Sequence, residues 1–270
     1  MKWFYAAFGV GILFLLVHLN TSASLPRQTG SGLITAHRGS SAVAPENTLE
    51  AIQQAIQDGA GAVEIDVRLT ADGVAVLSHD DSLKRTAGVE VLISESEYAQ
   101  LKSYNVAHKF SHRYGHVTIP TLAEALQTAK GNLKVNIELK NDPPQPGLAE
   151  EVVRIVAMMG MEDDCVITSF DRNILKKVRG LTGHIRTGLI VGKSQHLTED
   201  LYTDPSIQIL SLKDTLVSRN VMKQARDHGM EVYAWTVNHR PLMKEMMRYE
   251  VDSIITDNPS LLYRMLNQTP

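Results

Sequence analysis

Two histidines, an arginine and a pair of carboxylates fall within residues 36–80, and those types suit acid–base chemistry beside a neutralising cation. The stretch opens with His37-Arg38-Gly39, passes Pro45-Glu46-Asn47-Thr48, reaches Glu64-Ile65-Asp66 and closes on Ser78-His79-Asp80. Glu64 and Asp66 lie two apart in the apolar run 62–69, and the period of a strand turns both to one face. Alternating with Val63, Ile65 and Val67, they line either an exposed sheet face or a buried pair. A buried pair repels itself unless a cation neutralises it, and a hard metal ion is the natural partner. The turn Thr70-Ala71-Asp72-Gly73 leads into a second apolar run, 74–79, and reads as a hairpin that brings His79 roughly opposite Glu64. His37 ends its own strand, 33–37, where Gly39 breaks the pattern. Either histidine alone reads as an ordinary partly buried imidazole; beside the acids, both read as proton-transfer groups.

A third acid, Glu138, lies near the end of the apolar run 133–139, and with Glu64 and Asp66 it would make an all-oxygen site for calcium or magnesium. Zinc fits less well, since it prefers nitrogen and sulfur. Lys140 shares the strand face of Glu138, so a plain salt bridge would account for that acid in isolation. An arginine such as Arg38 matches phosphate oxygens with a fork, whereas Lys140 offers a point charge. Trp235 reads either as a wall of the substrate pocket or as a core aromatic, and Glu46 and Asn47 as residues that hold a loop and cap its helix. Asp80 and Asp81 either orient His79 or end the hairpin, the latter being the stronger reading for Asp81.

The segment AHRGSSAVAPENT followed by EIDVRLTADGVAVLSHDDSLKRT resembles the signature of the glycerophosphodiester phosphodiesterases. The resemblance continues through Ile137-Glu138-Leu139-Lys140, Ile167-Thr168-Ser169-Phe170, Ala234-Trp235-Thr236-Val237-Asn238 and Thr256-Asp257-Asn258-Pro259, and so covers residues 33–266. One departure is Ser40, where many members carry a second glycine. The resemblance implies hydrolysis of glycerophosphodiesters to glycerol 3-phosphate and an alcohol. It implies Glu64, Asp66 and Glu138 as metal ligands, His37 as base and His79 as acid, although the residues themselves leave the direction of proton transfer open. A lysophospholipase D would use the same barrel and site. A noncatalytic binding protein on a retired barrel is disfavoured, because both histidines and all three acids are present.

These residues need a scaffold, and 270 residues suffice for one α/β barrel, which commonly takes about 250. Strand-like runs at 33–37, 62–66, 133–139, 165–169, 185–190, 207–212, 231–237 and 253–256 alternate with helical patterns at 48–58, 121–130, 148–159, 172–181, 218–228, 240–248 and 259–266. That order predicts a TIM-type (β/α)8 barrel, with a looser polar connection over 190–207. Cap-like patterns at Asn47 and Thr121, each three before a glutamate, mark helix starts. Gly160, Gly183 and Gly229 fall near helix ends, where left-handed termini favour glycine. The hairpin and segment 81–118 form one insertion after the second strand, with a helix expected over 94–104. His108, His112 and His116 lie four apart within it, but Gly115 and Pro120 disfavour a helix that would align them as a metal stripe.

The net charge of -3 and pI near 6.4 give no basic field for nucleic acid. Cys165 is the only cysteine, so no internal disulfide forms. Residues 3–19 carry no charge and follow Lys2, which marks residues 1–25 as a signal peptide or, preferred here, an uncleaved membrane anchor. Residues 26–32 then read as a linker to the barrel domain, 33–270. Positive charge on the short side puts the barrel outside the cytoplasm. Segment 107–117 offers Lys109, Arg113 and three histidines against Phe110 and Tyr114, which suits a phosphate better than an acyl tail. Glycerophosphocholine is therefore expected to show a higher kcat/KM than lysophosphatidylcholine, with little change when residues 1–23 are removed. Rates on both substrates, with and without that segment, check this; a higher value for the lysolipid that depends on the segment points to a lysophospholipase D.

Overall fold

The computed structural model describes residues 30–267; the expected N-terminal anchor or signal and most of the linker lie outside them. Among the described residues no helix is long and apolar enough to cross a membrane.

Eight parallel strands close into a barrel: β1 Ile34–His37, β2 Ala62–Leu69, β4 Lys134–Leu139, β5 Cys165–Ser169, β6 Arg186–Val191, β7 Ile209–Lys213, β8 Glu231–Trp235 and β9 Ser253–Thr256. Closure comes from β1, which pairs with both β2 and β9. The far end of β2 runs past the barrel and takes β3, Ala75–Leu77, as an antiparallel partner. Alternation along the strands separates two environments. Val63, Ile65 and Val67 of β2 join the continuous core beneath the helices, whereas Glu64 and Asp66 between them stay in the barrel and are also buried. Ile209, Tyr233 and Ile255 form a small separate cluster, with Trp235 packed against it.

The helices bury stripes at helical spacing, as α4, Leu148–Met159, does with Leu148, Val152, Ile155 and Val156. Around it stand α1 Leu49–Gln57, α3 Leu122–Ala129, α5 Arg172–Leu181, α6 Arg219–Asp227, α7 Arg240–Tyr249 and α8 Pro259–Asn267, all within about two residues of the expected spans. As expected, no α-helix joins β6 to β7; two 3-10 turns, Ser194–His196 and Glu199–Thr203, do so instead.

Four local expectations need correction. The helix over 94–104 shrinks to α2, Tyr98–Leu101, because Ser94 commits its N–H (3.0 Å) and hydroxyl (2.6 Å) to the Asp81 carboxylate. β3 ends before His79; continuing the observed register puts His79 across from Ile65, one residue off the expected Glu64. Gly183 does not end α5, whose cap is the extended Thr182, with Arg179 donating to the Gly183 and Ile185 carbonyls. Finally, α1 is capped by Thr48, which accepts from the Ala51 N–H at 3.2 Å, and not by Asn47.

The Thr121 cap of α3 is present in full: its hydroxyl accepts from the Glu124 N–H (3.2 Å), and the Glu124 carboxylate accepts from the Thr121 N–H (2.8 Å). Thr121→Ala is expected to cost ~1 kcal/mol of stability, read as a lower denaturation midpoint at unchanged slope.

Candidate active site

The site occupies the C-terminal mouth of the barrel, where successive strands deliver one functional group each. Strand register makes the first pairings: His37 sits beside Glu64, and Asp66 beside Glu138. After His37 the chain turns sharply through Arg38 (φ 54) and Gly39 (φ 83). A Cβ on Gly39 would meet the Ala51 backbone at 2.6 Å, so glycine is what lets α1 pack this close to β1. The turn points the Arg38 N–H at Glu64 Oε2 (3.0 Å) and its guanidinium at Asp66 Oδ2 (3.2 Å) and Glu46 Oε1 (2.9 Å).

Glu64, Asp66 and Glu138 are all buried and can bring one oxygen each within 4.8 Å of one another. Lys140 lies among them, 2.7 Å from Glu138 Oε1 and 3.3 Å from Asp66 Oδ1. The salt bridge expected of Glu138 is therefore real and coexists with the cluster. Burial pushes the carboxyls of Glu64 and Glu138 well above the usual range, and the charge on Asp66 pushes them further. Asp66 itself is driven down: burial would raise it, but Lys140 and Arg38 outweigh that. Glu64 Oε1 and Asp66 Oδ1 are buried with no hydrogen-bond partner. Unfilled acceptors on a repelling, all-oxygen set fit a hard cation, which would use those lone pairs and relieve the repulsion. Among the described residues this is the only such grouping.

Each histidine is held through Nδ1 by an aspartate. His37 Nδ1 lies 2.6 Å from Asp257 Oδ1, with Nε2 3.9 Å from Glu64 Oε2. Asp257 is fixed in turn by the Ser41 hydroxyl (3.0 Å) and the Asn238 amide (2.6 Å). His79 Nδ1 lies 2.7 Å from Asp80 Oδ1, whereas Asp81 only ties down Ser94. With each aspartate accepting from Nδ1–H, Nε2 is left as the free ring nitrogen for proton-transfer chemistry. Burial works against charge on His37, but the hydrogen bond to Asp257 and the nearby Glu64 outweigh it and raise its pKa. Burial lowers the pKa of His79, and Lys140 and Arg38 add to this despite the opposing pull of Asp66 and Asp80.

His37, Arg38, Glu64, His79, Glu138 and Lys140 line one cavity of about 110 Å³, closed on one side by Trp235. Trp235 is half-buried, donates from its indole to the Ser211 carbonyl (2.9 Å) and meets Phe170 edge-on, so it is wall and packing residue at once. Past His79 a cleft of about 370 Å³ opens between Arg68, Asn141, Asp142 and Phe170. A more capacious cleft, about 720 Å³, lies by Arg172 and Lys176, but Arg172 is already paired with Asp200 and Asp204 and no acid–base pair lines it.

Every site residue expected from the sequence is thus gathered here. Sequence reasoning missed Asp257, which stood only in the motif Thr256-Asp257-Asn258-Pro259, and misassigned Asn47. The Asn47 amide donates to Asp66 Oδ2 (2.8 Å) and its oxygen accepts from the Asp66 N–H (3.1 Å), with Asn47 in the left-handed region at φ 54. Both residues stood in quoted motifs, which was the available signal.

A parallel barrel with paired histidines and a buried carboxylate triad at its mouth defines a barrel enzyme suited to acid–base work on a charged substrate. Residues 37–261 match the glycerophosphoryl diester phosphodiesterase family, and the chain belongs to that family of phosphodiester hydrolases. It is 32% identical over 238 residues to a glycerophosphodiester phosphodiesterase of Bacillus altitudinis, covering 84% of this chain and 94% of that one. It is 29% identical over 240 residues to one from Caldanaerobacter subterraneus subsp. tengcongensis, covering 87% and 98%. Among solved structures, a phosphodiesterase of Oleispira antarctica in complex with the product sn-glycerol-3-phosphate superposes with a TM-score of 0.79 at 28% identity, covering 90% of this chain and 98% of that one.

The raised pKa of His37 carries a sign. Its imidazolium contributes stability in full below about pH 6.5, the unfolded value, and the contribution is lost as pH rises through the folded value. In metal-free protein, Asp257→Asn is expected to lower the His37 pKa and reduce that pH-dependent stability. An NMR titration of the ring checks it; an unshifted His37 would mean that Asp257 does not support it.

Proposed function

We propose that the protein hydrolyses water-soluble glycerophosphodiesters to glycerol 3-phosphate and an alcohol, with His37 as general base and His79 as general acid. The observation that carries this reading is the pair of aspartate-held imidazoles flanking one cavity that is also lined by Glu64 and Glu138 of the carboxylate triad, Arg38 and Lys140. Glu64, Asp66 and Glu138 would hold a calcium or magnesium ion. When bound, that ion supplies positive charge against the charge developing on the phosphoryl oxygens.

Arg38 and Lys140 bind phosphoryl oxygens from the protein side, and Trp235 walls the glycerol. His37, held through Nδ1 by Asp257, takes the proton of the attacking hydroxyl on Nε2 in its neutral form. Asp80 on Nδ1 fixes the ring of His79 and pulls against the burial that lowers its pKa, and His79 in its protonated form gives its proton to the departing alcohol. The cleft beside His79 is wide enough to receive that alcohol.

Purified protein stripped of metal is expected to be inactive on glycerophosphocholine and to recover with calcium or magnesium. Glu64→Gln or Asp66→Asn should prevent recovery at ordinary metal concentrations, and full activity in excess chelator would remove the triad from the mechanism. His37→Ala and His79→Ala should each cost roughly 10²- to 10⁴-fold in rate while metal binding persists. A substrate with a phenolic leaving group needs little protonation, so His79→Ala should harm it far less than it harms the choline ester. Equal losses on both substrates would reverse or remove the acid assignment.

A further inference from the structure

We infer that Arg85, on the insertion, is a positioning residue that holds the His79 half and the Arg38 half of the site in register; its effect on rate rests on the phosphodiesterase reading above. The Arg85 guanidinium uses all three nitrogens. Nε donates to Asp80 Oδ2 (2.6 Å), Nη1 to Glu46 Oε2 (2.5 Å) and Nη2 to Glu46 Oε1 (2.8 Å). Both acceptors are already committed to the site. The other oxygen of Asp80 holds His79 Nδ1, and Glu46 Oε1 also accepts from Arg38 Nη1. One fork therefore completes a chain of hydrogen bonds from His79 through Asp80, Arg85 and Glu46 to Arg38, whose Nε is ion-paired with Asp66 at 3.2 Å.

The plain alternative is a surface ion pair, because the Arg85 side chain is 46% exposed and such pairs contribute little. Three features separate Arg85 from that case. It binds Glu46 as a bidentate fork, the geometry that gives an arginine–carboxylate pair both strength and direction. Glu46 is only 22% exposed, and its carboxyl is held below the usual range: burial opposes this, but the hydrogen bond from Arg85 and the charge of Arg38 overcome it. Finally, the backbone that carries Arg85 is anchored. Leu83 and Ala87 on either side are buried in the insertion's own core with Ile93, Leu101, Val117 and Ile119, and the Ala87 N–H donates to the Leu83 carbonyl at 2.8 Å. The insertion thus presents a guanidinium at a fixed point beside the barrel mouth.

Two consequences follow for the site. Asp80 stays an anion that accepts from His79 Nδ1–H, so one tautomer dominates with Nε2 available. Glu46 stays turned toward Arg38, so Arg38 keeps its place against Asp66. A lysine at position 85 supplies a point charge and cannot bridge both carboxylates as a fork does.

The test uses the full chain with magnesium or calcium supplied equally to wild type, Arg85→Ala and Arg85→Lys. Arg85→Ala is expected to lower kcat on glycerophosphocholine about 10- to 100-fold, the range typical of residues that orient site groups, with KM changed much less. The loss should be smaller on a phenolic leaving group, and millimolar guanidinium should restore part of the rate because the vacated position reaches solvent. Arg85→Lys should recover little. Nitrogen-15 NMR of the neutral His79 ring gives a readout independent of turnover: predominantly Nδ1–H in wild type and a tautomer mixture in Arg85→Ala. A kcat within twofold of wild type, or unchanged His79 tautomers, would overturn the role for Arg85. A wild type that turns over no glycerophosphodiester would instead overturn the functional reading, and the tautomer measurement would still judge Arg85.

Discussion

Three carboxylates share one buried space at the barrel mouth, and their mutual repulsion in a poorly solvated site is the constraint around which the rest is arranged. Glu64 and Asp66 reach it from the same strand and Glu138 from the next, so the register of β2 against β4 fixes their approach. Arg38 and Lys140 offset part of the charge but leave one oxygen each on Glu64 and Asp66 without a hydrogen bond. A purely structural cluster would be expected to satisfy those atoms, since leaving a buried acceptor unpaired is costly. A divalent cation would use them.

Around the acids stands a layer of groups that set direction more than charge. Asn47 clamps Asp66 at both its backbone and its carboxylate, and it reaches that position only by taking a left-handed backbone conformation. Arg38 adopts the same unusual region nine residues earlier, so two strained residues bracket the loop between β1 and α1. Asp257 and Asp80 serve the two histidines in parallel ways, each on Nδ1, but Asp257 is itself tied to Ser41 and Asn238, whereas Asp80 shares its charge with an arginine from the insertion. The two rings consequently sit in different fields, one raised and one lowered in pKa.

The insertion is more than a loop over the mouth. It carries a hydrophobic core separate from that of the barrel, and it reaches back across the first βα loop, where Arg113 and Tyr114 both donate to the Val43 carbonyl. Its irregular backbone is compatible with rigidity because side chains such as Asp81 and Asn105 satisfy the turns in place of a helix.

Much of this was determined by local sequence. The alternation of Glu64 and Asp66 with valine and isoleucine, the eight apolar runs and the Thr121 cap are all consequences of residues a few positions apart, and the barrel with its mouth of functional strand ends follows from them. Whether the two acids faced solvent or the barrel interior was undecided, because a period of two assigns a shared face without saying what covers it. Asn47 looked like a cap because its spacing to Glu50 is that of a cap; the neighbouring Thr48 took the role, and Asn47 was free to turn inward to Asp66. Asp257 lies 220 positions from His37, and only the closing of β9 onto β1 brings them together. Local propensity acts over one turn of helix or a few residues of strand, whereas these pairings depend on barrel closure and strand register, which are set by the packing of the whole chain.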